Sequence, residues 1–207
     1  SSKALTLAIL EDETLLAQMT LNIKKNHSIT LMPAIDFLMN SLDMKPTDLD
    51  RIVVAQGPGS YTGLRIAVAT AKTLAHTLKI ELVGVSSLLA LVPEQAEGLV
   101  IPIVDARRNN VYAGFYRSGQ AVRPEAHLPL AEVLEMAGAA NQPVTFVGET
   151  AAFAEQIESA LPQAAIQPTL PDAAVIGRLG LDLPAQSIHD FIPNYLKRVE
   201  AEENWLK

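Results

Sequence analysis

Gly57-Pro58-Gly59-Ser60-Tyr61-Thr62-Gly63-Leu64-Arg65 joins a strand-like run, Ile52-Val53-Val54-Ala55, to a long apolar helical pattern from about Thr62 to Leu78. Glycine permits positive φ, and proline fixes its own φ and lacks an N–H. A loop this rich in both must turn sharply and lie close to something. Ser60 or Thr62 can cap the helix, which leaves free N–H groups at its first turn, a geometry able to hold an anion. Gly57, Gly59 and Ser60 are then candidate nucleotide- or anion-binding residues. The plainer reading is a tight strand-to-helix turn. Two phosphate-loop patterns fail: Leu64-Arg65, not Lys-Ser or Lys-Thr, follows Gly63, and Thr62 stands where a dinucleotide fingerprint needs its third glycine. Strand, loop and helix in this order place the chain among α/β proteins.

The helix after the loop is apolar nearly all round. Gly63, Ala67, Ala71 and Ala75 recur every four residues as a stripe of small side chains, along which another helix can approach closely. Ile66, Thr70 and Leu74 form a second face, and Leu64 and Val68 a third. Arg65, Lys72 and His76 share the remaining face with Ala69. Such a helix is normally buried. It can be buried twice, against its own sheet and against another protein; plain core packing is the alternative.

The chain has 207 residues, a net charge of -7, 49% hydrophobic and 19% charged residues, and no cysteine. That describes a globular chain long enough to bury roughly 70% of its unfolded surface, in one large domain or two lobes. Without cysteine there is no disulfide, thiol catalysis or cysteine-ligated zinc. Acidity with few aromatics makes it a poor nucleic-acid binder by itself. No apolar run reaches the roughly 18 residues of a membrane span, and no signal-peptide pattern is seen, so the expected location is the cytoplasm.

Ala4–Leu10 and Leu15–Leu21 read as strands around the turn Glu11-Asp12-Glu13. A helix follows to about Leu42, with Leu31, Ile35, Leu38 and Leu42 at helical spacing and Met32 and Met39 beside them. Ile80–Val85 is a strand, Ser86-Ser87 caps a short helix through Leu91, and the polar break Pro93–Gly98 marks a lobe boundary: residues 1–97 before it, 98–207 after it. Val100–Val104 is a strand ending at Asp105, and a tight turn leads to Val111–Tyr116. Strand, Asp, turn, strand looks like a weak internal repeat of the chain's opening with a first strand missing there. Leu128–Met136, Thr150–Leu161 and Pro171–Leu183 read as helices, Val144–Val147 as a strand, and Pro193–Arg198 as an extended tail that can return to the first lobe.

Catalytic chemistry is hard to find. His27, His76, His127 and His189 form no His-x-x-x-His pair, and no metal site is expected. Ser60 does not lie in a Gly-x-Ser-x-Gly elbow. Asp105 sits at a strand end, where ligands of α/β sheets collect, although an Asx turn holding Arg107 and Asn109 explains it more simply.

The nonapeptide Gly57–Arg65 closely resembles the signature of the bacterial TsaB (YeaZ) family. His27-Ser28 with Leu31-Met32-Pro33, Gly84–Leu88, Asp105-Ala106-Arg107 with Val111-Tyr112, and the tail Pro193, Tyr195–Lys197 and Glu200–Glu202 also fit. The resemblance implies an actin/sugar-kinase-like (ASKHA) fold of two related lobes with mixed sheets, its central first strand absent from this chain. It implies a non-catalytic subunit that pairs with and activates TsaD in forming threonylcarbamoyladenosine beside the tRNA anticodon, with the ATPase TsaE joining them. No metal or cofactor is expected on this chain alone, ATP or ADP belongs to the assembled complex, and tRNA is contacted indirectly. Pairing through the first two helices assigns Leu31, Met32, Ile35, Met39, Leu64, Arg65, Val68, Ala69 and Lys72 to the partner, and the same surfaces could form a homodimer in its absence. The alternative is a glycoprotease-like peptidase or a small-molecule kinase of the same superfamily, with Ser60 and Asp105 as the residues to suspect.

Overall fold

The computed structural model describes residues 4–22, 27–93 and 96–197. The second half of the chain is built on one five-stranded sheet. Its strands are β5 (Leu99–Asp105), β6 (Asn110–Arg117), β7 (Gln120–Pro129), β8 (Val144–Gly148) and β9 (Ala165–Pro168), in the order β7-β6-β5-β8-β9. β6 runs antiparallel to β5 and β7 antiparallel to β6, whereas β8 and β9 run parallel to β5 on its other side. β5 takes the centre because Leu99–Val104 is apolar at every position and can be buried on both faces. Leu99, Ile101 and Ile103 pack with Leu130, Val133 and Ala137 of α3 (Leu130–Gly138) and Ile157 of α4 (Ala154–Ala160). Val100 and Val104 face the opposite side, with Leu88, Leu91, Tyr116 and Val147. The two-residue period of a strand divides the two cores.

The first half has an antiparallel hairpin, β1 (Leu5–Glu11) with β2 (Thr14–Leu21), and a parallel pair, β3 (Arg51–Gly57) with β4 (Glu81–Ser86). Helices α1 (His27–Ser41) and α2 (Tyr61–Leu78) connect them. The sequence of elements β1-β2-α1-β3-α2-β4 is repeated as β6-β7-α3-β8-α4-β9. The weak repeat read from the sequence is therefore carried by whole elements, and β5 has no counterpart in the first half among the described residues. A cavity of about 510 Å³ is lined by Leu5–Leu10 of β1, Arg51–Ala55 of β3 and residues of α1 and α2.

Several boundaries differ from the sequence reading. Leu128 pairs with Val111 in β7, so the helix read from Leu128 begins at Leu130. Thr150–Phe153 form turns, and α4 starts only at Ala154. α5 is Ala173–Leu179, shorter than Pro171–Leu183, because the Asp172 carboxylate accepts the Ala174 N–H at 2.8 Å and opens the helix there. β7 and β9 were not anticipated: both are edge strands, largely exposed, and lack a clean apolar alternation. Glu94 and Gln95 in the expected lobe boundary, Lys24-Lys25-Asn26, and Arg198 onward, including Glu200–Glu202, lie outside the described residues.

The chain returns to its first half after β9. Ile176 and Leu179 of α5 pack on Val53, Ala55, Val83 and Val85. The Arg51 guanidinium donates to the carbonyls of Gly180 (2.7 Å) and Leu183 (3.2 Å), and the Gln186 N–H to Leu82 O at 2.8 Å. Phe191 joins Val54, Val68 and Leu82 in the core between α2 and its sheet. Among the described residues, no helix is long and apolar enough to cross a membrane.

Candidate functional site

The glycine loop is held from two sides. Gly57 has φ +122°, and a Cβ there would lie 2.5 Å from the Asn194 carbonyl oxygen, so the tail backbone occupies the space a side chain would need. The Gly57 N–H donates to Ser87 Oγ at 3.1 Å, and the Ser87 N–H returns a bond to Gly57 O at 2.8 Å. Asn194 N–H donates to Gln56 O at 2.7 Å. Gly57, Pro58 and Gly59 are consequently buried, whereas Ser60 is exposed. The Gly57 amide, one of the candidate anion contacts, is already engaged inside the protein. Ser60 is the N-cap of α2: its Oγ accepts the Gly63 N–H at 3.4 Å, and its carbonyl accepts Leu64 N–H at 2.9 Å.

Asp105 is engaged at the other sheet. Its Oδ1 accepts the Arg107 N–H at 2.8 Å, and its own N–H donates to Glu149 Oε2 at 3.0 Å. Arg107, Arg108 and Asn109 follow with φ values of 71°, 53° and 57°. The carboxylate thus closes the Asx turn that the sequence admits. No contact unites it with Ser60 in a catalytic pair. Among the described residues, no three His, Asp or Glu side chains gather as a metal site would require.

The two helices assigned to a partner divide their residues sharply. Leu31 (6% exposed), Met39 (6%), Leu64 (0%) and Val68 (4%) are inside the fold. These four are corrected from contact residues to core residues: their spacing marks the stripe that faces the protein's own sheets. Ala71 and Ala75 of the small-residue stripe likewise pack with Val54 and Leu82, so that stripe seats α2 on its sheet. Ile35 is half-buried and lines the cavity. Lys72 is spent on the returning tail, its Nζ donating to His189 O at 3.0 Å and Phe191 O at 2.8 Å. Met32, Arg65 and Ala69 remain exposed.

The exposed face of α1 carries two large apolar side chains that the sequence reading passed over, Ile29 (70% exposed) and Phe37 (59%), beside the already assigned Met32 (47%). Their signal in the sequence is that they are apolar yet fall off the Leu31-Ile35-Leu38 stripe. At the start of α2, the exposed rings of Tyr61 and Tyr195 lie 5.0 Å apart at a 31° tilt. Partial burial raises the Tyr195 phenol's pKa, Tyr61 adds to this, and the nearby Arg65 opposes it.

A two-half α/β fold with repeated elements, mixed strand directions and a clamped glycine loop defines a protein of the actin and sugar-kinase type. The family described as "TsaD: tRNA N6-adenosine threonylcarbamoyltransferase" matches residues 14–205. The Bacillus subtilis "tRNA threonylcarbamoyladenosine biosynthesis protein TsaB" is 41% identical, over all of this chain and 95% of its own length. The Escherichia coli protein of the same name is 26% identical, over 56% of this chain and 52% of its own length. A Pseudomonas aeruginosa crystal structure described as an uncharacterized protein with similarity to peptidase YEAZ superposes with a TM-score of 0.81 at 26% identity, covering 95% of this chain and 96% of that one. The chain belongs to the TsaB (YeaZ) family.

Proposed function

We propose that this chain works in tRNA threonylcarbamoyladenosine biosynthesis as a non-catalytic subunit that pairs with TsaD. The observation that carries the reading is the apolar face of α1. Ile29, Met32 and Phe37 stand in solvent, beside a second helix whose Ala69 and Arg65 are also exposed. Solvent-facing residues of this size on one helix suit a protein partner, and joining α1 with the outer side of α2 gives scope for an interface on the order of 1,600 Å² in total. The contact set is therefore Ile29, Met32, Phe37, Arg65 and Ala69. The chemistry of transfer resides in TsaD, with TsaE supplying ATPase activity, and ATP or ADP belongs to the assembled complex. The proposed location is the cytoplasm. A homodimer through the same face forms when TsaD is absent.

Full-length protein mixed with TsaD from the same source, run on size-exclusion with light scattering, gives a one-to-one complex. Adding TsaE, ATP, threonylcarbamoyl-adenylate and tRNA then gives modification that depends on this chain. Absence of both complex and dependence would remove the reading. The peptidase alternative rests on Ser60, the exposed N-cap of α2. A Ser60→Ala variant that lost a peptidase activity would support it.

A further inference from the structure

One carboxylate outside the site just described bridges the β3–β4 pair and the five-stranded sheet. Glu125 lies half-buried on β7 of the five-stranded sheet. Its Oε1 accepts two hydroxyl bonds, from Tyr116 Oη on β6 and from Ser86 Oγ at the end of β4 in the other sheet. Ser86 Oγ in turn accepts the N–H groups of Leu88 (3.0 Å) and Leu89 (3.2 Å), so its single proton is directed at Glu125. Tyr116 is 3% exposed, and its ring fits only because position 114 is glycine: a Cβ there would come within 2.5 Å of it. Burial and the Glu125 carboxylate hold the phenol in its protonated, donating form. The next residue, Ser87, exchanges the two bonds with Gly57 that fix the start of the glycine loop.

We propose that Glu125 is a positioning residue: its carboxylate clasps Ser86 of the β3–β4 pair to Tyr116 of the five-stranded sheet, and through Ser87 it sets the glycine loop that opens α2. A charged acceptor shared by two hydroxyl donors is stronger than a neutral one. Without it, two largely buried O–H groups lose their partner and the Ser86–Leu89 turn loses its anchor on the other sheet. The loop backbone then loosens although no residue of the loop has changed. The clasp is a property of the chain alone and does not depend on pairing with TsaD.

Amide hydrogen exchange on the full chain tests it. Glu125→Leu keeps the bulk and removes the acceptor. The amides of Gly57, Ser87, Leu88 and Leu89 should exchange about tenfold faster or more, with Ile101 and Phe146 in the second core unchanged. Glu125→Gln keeps a carbonyl acceptor and should restore rates to within about threefold of the parent. Equal acceleration everywhere, or unchanged Gly57 and Ser87 amides, overturns the proposal. If Glu125→Leu fails to fold, Ser86→Ala decides. It leaves the Tyr116–Glu125 bond in place and should still accelerate Gly57 and Ser87; unchanged rates there overturn the clasp.

Discussion

Tyr116 and Gly57 show how much single residues carry. The Tyr116 phenol is raised well above its ordinary pKa of 10.0 by burial and by Glu125. The folded state therefore keeps a proton that the unfolded chain gives up, and stability must fall as pH rises through and above about 10. Urea unfolding between pH 9 and 11 should show that decline, and Tyr116→Phe should flatten it. At Gly57, φ +122° and the Asn194 carbonyl 2.5 Å from a would-be Cβ act together. Gly57→Ala should cost about 1–3 kcal/mol in the same assay, with the tail 191–195 displaced. The sequence marks Gly57 as unusual and admits either a tight turn or a bound anion there. The structure places the protein's own tail there, some 137 positions further along by numbering.

The two helices of the first half make opposite use of similar side chains. On α2, Ala71 and Ala75 are small because β3 and β4 lie against them. Ala71→Leu should overpack that contact and cost about 1–3 kcal/mol in thermal or urea unfolding. Ala69 points outward. Ala69→Glu should therefore leave stability within about 0.5 kcal/mol of the parent while abolishing binding to TsaD, since it would bury an unpaired charge in the interface. Unchanged affinity in that variant would place the interface elsewhere. Helical periodicity made both helices legible, but not the direction each face takes. A stripe of alanines, or a stripe of leucines, reads the same whether it meets a sheet or a partner. Edge strands β7 and β9 were illegible for the converse reason: their polar, exposed residues follow no period, and only ladder bonds to β6 and β8 define them.

At the scale of the molecule, the exposed apolar side chains of α1 are the proposed association surface. The isolated chain should show concentration-dependent dimers by sedimentation velocity, and Phe37→Asp should shift the equilibrium to monomer without altering the circular dichroism spectrum. A monomer at every concentration would count against self-association through α1. The returning tail is the other feature of this scale. α5 and residues 180–195 bind the first half through Arg51, Lys72 and Phe191, so the two ends of the described chain fold as one unit.

By itself the sequence determined the α/β class, the strand–loop–helix unit around Gly57–Arg65, most of the regular elements and the family. These rest on local periodicity, turn chemistry and a specific motif, all written in neighbouring residues. The tertiary structure alone decided which side of each helix is free, that the glycine loop is filled by its own tail, that Glu149 accepts the Asp105 N–H, and that Glu125 reaches across to Ser86. Each of these depends on residues far apart in the chain meeting in space, and hydrophobic burial selects such meetings without leaving a local pattern to read.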